Sequence, residues 1–139
     1  MTIIDYACGS GQYAIEYAKI VGNQGKVYAV DINPCAIKEA IERTEALGLQ
    51  NIEIRLANGF DSTLETGIAD IITALDVFFM IENPTVFLNE LYRICKPEGV
   101  LIIDDGHQPR SKTKTALQQT NLWEIFEETK DHLKCKKIL

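Results

Sequence analysis

Five apolar segments of strand length recur along this chain of 139 residues, and segments with helical spacing of apolar residues separate most of them. They are TIIDYA, KVYAV, IEIRL, ADIITAL and GVLIID. These runs are apolar on both faces, which is typical of strands in a parallel sheet that helices cover on both sides. The order of elements therefore predicts an α/β fold with three layers, built from repeated β-α-β units.

Two asparagine-proline pairs mark helix starts. Asn33-Pro34 and Asn83-Pro84 each place a good N-cap residue before a proline, whose missing N–H costs nothing at the first helical position. The apolar face predicted for the first of these helices consists of Ile37, Ala40, Ile41 and Leu47, with Gly48 as its end. The face predicted for the second consists of Phe87, Leu88, Leu91, Ile94 and Cys95.

Weaker patterns complete the architecture. A helix is predicted from about 11 to 21, and a more polar one from 111 to 121. The segments WEIFEET and LKCKKIL are interpreted as two strands with a turn near Asp131, which predicts an antiparallel hairpin at one sheet edge. We therefore expect a single domain over residues 1–139, with a seven-stranded, mainly parallel sheet and about four helices.

Composition limits the classes of partner. No apolar run approaches the roughly 18 residues of a membrane span, and the N-terminus lacks a signal-peptide pattern, so we expect a cytoplasmic protein without a membrane partner. A net charge of -6 argues against nucleic acid as a partner, because phosphate binding needs clustered Lys and Arg. The four cysteines form no C-x-x-C pair, which indicates small apolar residues in a reducing compartment.

The first strand runs into a glycine-rich turn. Because ligands of such sheets bind beyond the carboxyl ends of the strands, the residues of interest follow strand ends. Gly9, Gly11 and Ala14 fit G-x-G-x-x-A, and Asp31 follows Gly9 by 22 positions, as in dinucleotide-binding folds. An NAD-dependent oxidoreductase is therefore one hypothesis. Against it stands Asp5, in a strand that is normally apolar in dinucleotide folds; a carboxylate there suits a ligand with an ammonium group.

Five motifs, in order, point to a different family. They are DYACGSG, YAVDIN, LANGF, ADIITALDVFFMIENP and the K-P-E-G turn with the strand after it. From Ile3 to its end the chain resembles the class I, Rossmann-like S-adenosylmethionine-dependent methyltransferases. Ala7 replaces the first glycine of that family's D-x-G-x-G-x-G motif. We expect a methyl-bearing residue to be tolerated there only if φ is negative.

The resemblance implies S-adenosylmethionine as cofactor, S-adenosylhomocysteine as product, and transfer of a methyl group to a small-molecule acceptor. By resemblance, Asp5 holds the ammonium group of the cofactor, directly or through water. Backbone groups around Ala7 and Cys8, with the helix N-terminus that follows, accept its carboxylate. Gly9 and Gly11 allow the backbone to approach the methionine part.

The remaining cofactor residues follow later strands. The resemblance implies that Asp31 accepts hydrogen bonds from the ribose hydroxyls and that Ile32 lies against the adenine. Asn58, beside Gly59, stands where the family often has Asp, and its carbonyl oxygen could accept from the adenine amine. Leu75 adds further cofactor contacts.

The acceptor side is less defined. The sequence contains no N-P-P-Y or D-P-P-Y motif, so O-, N-, S- or C-methylation of a small molecule remains open. His107 and Asp76 are the candidate catalytic residues, His107 as general base. As a weaker alternative, Asp76, Asp104 and Asp105 are similar to the divalent-metal site of catechol-type O-methyltransferases, where Mg²⁺ orients a diol.

In the resembled family a helical segment usually precedes the first strand, whereas here Met1 begins it. We expect a misassigned start, a trimmed chain, or a minimal protein whose lid comes from a partner or a second copy. Exposed apolar surface at the strand ends could then promote dimerisation. This feature also supports a second hypothesis, a non-catalytic cofactor-binding or regulatory module with the same fold.

Overall fold

In the computed structural model, which describes residues 1–139 except the side chain of Phe79, the chain forms seven strands and four α-helices. The strands are β1 Thr2–Tyr6, β2 Lys26–Asp31, β3 Ile52–Leu56, β4 Ala69–Ala74, β5 Cys95–Ile103, β6 Trp123–Glu128 and β7 Leu133–Lys137. The helices are α1 Gln12–Val21, α2 Pro34–Ala46, α3 Pro84–Ile94 and α4 Arg110–Thr120. Among the described helices, none is both long enough and apolar enough to pass through a membrane.

The strands form one sheet in the order β3-β2-β1-β4-β5-β7-β6. β1 and β3 flank β2 in parallel, and β4 is parallel to β5. β7 is antiparallel to both β5 and β6. The predicted seven-stranded, mainly parallel sheet with a terminal antiparallel hairpin is confirmed. The chain divides into two compact units, residues 1–63 and 64–139, and the single-domain organisation stays a prediction.

The first unit contains β1 to β3, α1 and α2. Asn33 caps α2 as predicted, because its Oδ1 accepts hydrogen bonds from the N–H groups of Cys35 (2.9 Å) and Ala36 (3.4 Å), and Pro34 follows at the first helical position. The cap fixes where α2 begins, three residues after the end of β2. The start of α2 therefore lies at the same edge of the sheet as the end of β2.

The predicted apolar face of α2 is only partly right. Ile37 and Ala40 are buried together with Thr44, whereas Ile41 is 38% exposed and Leu47 is 53% exposed. A helix advances about 100° per residue, so the face through 37, 40 and 44 leaves Ile41 at its margin. Leu47 lies beyond the last helical residue. Our prediction for Ile41 and Leu47 is wrong for these geometric reasons.

The second unit begins with β4, α3 and β5. All five residues predicted for the apolar face of α3 and its end are buried. β5 begins at Cys95, directly after α3, so the K-P-E-G segment lies inside a strand instead of forming a separate turn. Ala69 pairs with Cys95 and Ile71 with Val100, which means that the extra residues bulge out of the ladder. A Cβ on Gly99 would lie 2.8 Å from the carbonyl oxygen of Ala69, so this bulge requires glycine.

The hairpin of β6 and β7 completes the second unit. Its turn is closed by a hydrogen bond from the N–H of Thr129 to the carbonyl oxygen of His132 (2.9 Å), around the predicted position Asp131. Trp123 is buried at the start of β6 and donates its indole N–H to the carbonyl oxygen of Leu88 (3.1 Å). The hairpin is therefore anchored to α3.

The cysteines are all free. Burial raises the pKa of the Cys135 thiol to about 12, and burial is the first cause that raises the pKa of Cys95 to about 11. These two act as small apolar residues, as predicted. Cys35, at the start of α2, is exposed and does not pack in the core.

Candidate functional site

The glycine-rich turn, defined as residues 7–11, follows β1. Its backbone takes positive φ at Ala7 (66°), Gly9 (56°) and Gly11 (87°). The N–H of Cys8 donates to the carbonyl oxygen of Val30 (2.9 Å), and the N–H of Gly11 donates to the carbonyl oxygen of Cys8 (3.0 Å). The turn is therefore tied to the end of β2 and closed on itself.

Ala7 contradicts our expectation of a negative φ. A left-handed conformation costs a non-glycine residue about 1–2 kcal/mol. The cost is borne because both flanking positions are fixed: Tyr6 belongs to the buried strand β1, and Cys8 is hydrogen-bonded to Val30. The methyl group is tolerated in a conformation where glycine is the usual residue.

The two glycines of the turn serve different purposes. A Cβ on Gly9 would meet none of the described atoms within 4 Å, so this position faces open space and leaves room for a ligand. A Cβ on Gly11 would lie 3.2 Å from the Cβ of Ala40 on α2. Gly11 is therefore required for close packing of the turn against α2, in addition to its positive φ.

Asp31 joins the turn to α2. Its Oδ2 accepts a hydrogen bond from the N–H of Gly9 (2.9 Å), and its Oδ1 accepts one from the N–H of Asn33 (2.9 Å). A carboxylate oxygen has two lone-pair sites, so each oxygen of Asp31 can accept one further hydrogen bond. The carboxylate at the end of β2 can thus serve two neighbouring hydroxyl groups while holding the turn.

A third segment, residues 57–61, lies at the same strand ends. The N–H of Ala57 donates to the carbonyl oxygen of Asp31 (2.8 Å), and Asn58 and Asp61 exchange backbone hydrogen bonds of 2.9 and 3.0 Å. The hydroxyl of Tyr6 donates to the carbonyl oxygen of Phe60 (2.8 Å). These bonds bring the predicted residues Asn58 and Gly59 to the ends of β1 and β2.

Ile32 and Asp5 differ in exposure. Ile32, next to Asp31, is 61% exposed and offers an apolar surface at the strand end. Asp5 is only 2% exposed and lies within β1, below the turn.

Burial first, then the charges of Asp5 and Asp31, raise the pKa of the Cys8 thiol to about 12, which excludes a thiolate there at neutral pH.

The start of α1 completes this site. The N–H groups of Cys8 and Gly9 already donate to Val30 and Asp31, and the predicted carboxylate contact around Ala7 and Cys8 stays a prediction. Gly11 caps α1 without a side-chain hydrogen bond, and the first N–H groups of a helix have no partner inside it. These N–H groups at the start of α1 are backbone donors that can receive a carboxylate.

One contact at the turn was missed by the sequence analysis. Nη1 of Arg43, on α2, donates to the carbonyl oxygen (3.2 Å) and to Oγ (3.0 Å) of Ser10. No local pattern predicts it, since the two residues are 33 positions apart in the chain. Only the packing of α2 against the turn brings them together.

In the second unit, the structure brings two of the predicted acids into contact. Asp76 follows the partly buried Leu75, has φ 55°, and donates its N–H to Oδ1 of Asp104 (2.9 Å). Burial is the largest cause that raises the pKa of Asp104 above its ordinary value, and the neighbouring charges of Asp76 and Asp105 raise it further. The surroundings of Asp104 therefore favour its protonated form more than water does.

The third acid is engaged elsewhere. Asp105 Oδ2 pairs with Nε of Arg110 (2.8 Å). Arg110 also donates to the carbonyl oxygens of Thr129 (2.8 Å) and Lys130 (3.0 Å), in the hairpin turn. Asp105 thus helps to anchor the hairpin. Within the part of the chain that the structure describes, no group of three or more His, Cys, Asp and Glu side chains is arranged to hold a metal ion. The metal alternative at the three acids gains no support from this arrangement.

His107 lies on the segment between β5 and α4. It is exposed and follows Gly106, which has φ 59°. An exposed imidazole can exchange protons with a bound molecule. Its role as general base stays a prediction.

The second unit also contains an open groove of about 670 Å³ between the start of α3 and α4. Its lining residues are Met80, Ile81, Glu82, Pro84, Ser111, Lys112, Thr115, Ala116 and Gln119. None of the residues predicted for cofactor binding or catalysis lines it.

Comparisons with known proteins identify the family of the chain. A family model described as "Methyltransferase domain" matches residues 1–138. The chain is 32% identical, over 98% of its length, to a 2-phytyl-1,4-naphtoquinone methyltransferase of Trichormus variabilis, and it covers 60% of that protein. It is 26% identical, over 76% of its length, to a demethylmenaquinone methyltransferase of Geobacillus stearothermophilus, and it covers 45% of that protein. The chain thus spans roughly half the length of these curated relatives.

A solved structure shares the fold over nearly the whole chain. The structure of a SAM-dependent methyltransferase from Aquifex aeolicus superposes with a TM-score of 0.93, at 24% sequence identity, over 99% of this chain and 82% of that one. This likeness confirms the predicted three-layer, Rossmann-like α/β fold.

Proposed function

Because this chain belongs to the methyltransferase domain family, we propose that it binds S-adenosylmethionine at the glycine-rich turn and transfers the methyl group to a small-molecule acceptor. The observation that carries the proposal is the hydrogen bond from the N–H of Gly9 to Oδ2 of Asp31 (2.9 Å). It joins a turn that has open space beside it to a carboxylate with free acceptor capacity.

The residues present suit the cofactor part by part. Asp31 would accept from the ribose hydroxyls, and the exposed side chain of Ile32 would cover one face of the adenine. Asn58, held by its hydrogen bonds with Asp61, would accept from the adenine amine. The open side of Gly9 would admit the methionine part, and the N–H groups at the start of α1 would receive its carboxylate.

Bound S-adenosylmethionine supplies an electrophilic methyl group on a sulfonium. Displacement at a methyl carbon needs the acceptor atom to be held in line at near-contact distance, so positioning can account for most of the rate. The chain contributes by holding the turn, Asp31 and residues 57–61 together through backbone and carboxylate hydrogen bonds. Groups that are fixed before binding lose little freedom when the ligand arrives.

A hydroxyl acceptor would also need a base. His107 and Asp76 are our candidates, on the segments that follow β5 and β4. To these we add Asp104, because burial raises the pKa of this carboxyl and a base is most effective when its pKa approaches the working pH.

For the acceptor we propose a naphthoquinone-type ring compound in its reduced form. The support is that the two relatives described above carry quinone substrates in their names. A ring of this class offers a carbon or oxygen nucleophile. We further propose that the protein acts in the cytoplasm. We also propose that it associates with a second copy through apolar surface at the strand ends, and sedimentation of the purified protein would test this association.

The experiment is a thermal-shift titration with S-adenosylmethionine, S-adenosylhomocysteine and NAD, followed by a turnover assay with reduced naphthoquinones. A ligand at 100 times its Kd stabilises the folded state by about 2.7 kcal/mol, enough to raise Tm by several degrees. We expect a shift with the two adenosyl ligands and none with NAD. A shift with NAD alone would contradict the proposal, and so would the absence of a shift with all three ligands. Binding without turnover across an acceptor and metabolite screen would favour the non-catalytic module.

A further inference from the structure

Ser10 is the middle residue of the Gly-Ser-Gly segment in the glycine-rich turn. It stands between two glycines, both of which have positive φ. Glycine backbone is the most flexible in a chain, so a Gly-Ser-Gly segment loses much conformational entropy when it is held in one shape. A contact that holds Ser10 therefore restricts the conformation of the whole segment.

Two anchors of the turn come from β2. They are the hydrogen bond from the Cys8 N–H to the carbonyl oxygen of Val30 and the hydrogen bond from the Gly9 N–H to Asp31. Both act before Ser10 in the chain. They leave the carbonyl group and side chain of Ser10 to be held from another direction.

That direction is α2. Ala40 fills the space beside Gly11, and Arg43 follows Ala40 by three positions, which places both on one face of the helix. One guanidinium nitrogen of Arg43 reaches both the carbonyl oxygen and the hydroxyl of Ser10. The backbone and the side chain of Ser10 are thus held by a single charged donor.

Arg43 contacts Ser10 although its own helix offers another partner. Glu39 precedes Arg43 by four positions on α2, an arrangement that favours an ion pair on a helix surface. Yet among the ion pairs of the described residues none involves Arg43. Its guanidinium instead donates two hydrogen bonds to Ser10.

We propose that Arg43 is a positioning residue for the glycine-rich turn: by holding Ser10 it keeps residues 7–11 in the shape that receives the amino-acid part of the cofactor. The inference rests on the proposed function, because it assigns that part of the ligand to the turn. Arg43 itself does not touch the reacting atoms. Its effect is transmitted through Ser10 to the neighbouring backbone.

The binding experiment compares two ligands and four variants by calorimetry. S-adenosylhomocysteine carries the amino-acid part, and 5′-methylthioadenosine lacks it. We expect Arg43→Ala to raise Kd for S-adenosylhomocysteine by about 3- to 10-fold and Kd for 5′-methylthioadenosine by less than about 2-fold. Arg43→Lys, which keeps a charged donor, should restore part of the affinity, and Ser10→Ala, which keeps the carbonyl group, should have a smaller effect. Lys38→Ala, exposed on the same helix, is the matched control.

A second measurement needs no ligand. Amide hydrogen exchange at Gly9 and Gly11 in the free protein should become several-fold faster in Arg43→Ala and stay unchanged in Lys38→Ala. Unchanged exchange, or equal loss of affinity for both ligands, would overturn the inference, because either result would mean that Arg43 does not act on the turn. If the unaltered protein binds neither ligand, the proposed function fails. Exchange then still decides whether Arg43 holds the turn.

Discussion

The two compact units place their predicted site residues in contrasting surroundings. In residues 1–63, the turn, Asp31 and residues 57–61 are joined by hydrogen bonds that run from one predicted residue to the next. In residues 64–139, Asp105 pairs with Arg110, and Asp104 accepts from the N–H of Asp76. The first unit therefore presents a connected site, whereas the acids of the second are partly used to hold its own loops.

This difference reflects two kinds of requirement. A ligand held mainly by backbone needs several segments fixed at once, so its site depends on the strand ends and on hydrogen bonds between them. An acceptor site is built by side chains on loops, which vary from protein to protein on one fold. The first kind of site can be inferred from a family motif, and the second cannot.

The largest expected effect is that of Asp31→Ala. The change removes the acceptor of the Gly9 and Asn33 N–H groups as well as the proposed ribose contact. We expect Kd for S-adenosylhomocysteine to rise at least about 100-fold, because hydrogen bonds to charged groups contribute about 1.5–3 kcal/mol each. Calorimetry measures the change, with Glu42→Ala on the exposed face of α2 as control. A loss of less than about 3-fold would mean that the connected site is not the cofactor site.

The next effect tests how tightly the turn packs. Gly11→Ala combines a φ of 87° with a Cβ 3.2 Å from the Cβ of Ala40. We expect the free energy of unfolding to fall by about 2–3 kcal/mol. Gly48→Ala is the control, since it has φ 66° but open space among the described atoms and should cost only about 1 kcal/mol. Equal losses in urea unfolding would show that packing against α2 contributes nothing.

In the second unit, Arg110→Ala should act on stability. It leaves the partly buried carboxylate of Asp105 unpaired and removes the donors to the carbonyl oxygens of Thr129 and Lys130. We expect a loss of about 1–2 kcal/mol in urea unfolding. Lys112→Ala, exposed on the same helix, should change stability by less than about 0.5 kcal/mol. If the Arg110→Ala protein is as stable as the Lys112→Ala control, Asp105 and Arg110 do not anchor the hairpin.

A smaller gain is expected from Ala7→Gly. Relief of the left-handed strain contributes about 1–2 kcal/mol, and the added freedom of glycine in the unfolded chain costs about 0.5–1 kcal/mol. The net expectation is a stabilisation of about 0.5 kcal/mol, measured by urea unfolding. Ala36→Gly, within α2, should instead destabilise the protein. If Ala7→Gly is also destabilising, the positive φ of Ala7 is not a strained conformation.

The smallest effect concerns pH and Asp104. Because burial raises the pKa of this carboxyl above its ordinary value of 3.8, the folded state binds the proton more tightly than the unfolded state. Stability associated with this group therefore falls as pH rises from about 4 through the higher folded pKa. Asp104→Asn, which can still accept from the N–H of Asp76, should be more stable than the unaltered protein at pH 7, by less than about 1 kcal/mol.

Unfolding in urea at pH 7 and pH 3 measures this difference. At pH 3 the two proteins should be equally stable, because Asp104 is then protonated in both states. Asp131→Asn, in the exposed hairpin turn, is the control and should show no such difference. A stabilisation that persists at pH 3 would mean that the charge of Asp104 is not its cause.

Much of the first unit could be predicted because its signals are local. The asparagine cap of α2, the strand-end position of Asp31 and the glycine spacing can each be recognised within a few residues. The positive φ of Ala7 could not be predicted, because alanine disfavours this conformation. The residue adopts it only because the surrounding structure holds the flanking segments in place. The role of Gly11 against Ala40 depends in the same way on where α2 packs.

The sequence by itself determined the order of strands and helices, the helix starts and the family, because hydrophobic periodicity, caps and motif spacing are properties of short segments. Only the tertiary structure decided that Arg43 reaches Ser10, that Asp105 serves the hairpin, and that Ile41 is left exposed. These contacts join residues far apart in the chain or depend on the angle at which a helix faces its neighbours. No local pattern encodes a side-chain partner that is far away in the chain, so such roles come from packing alone.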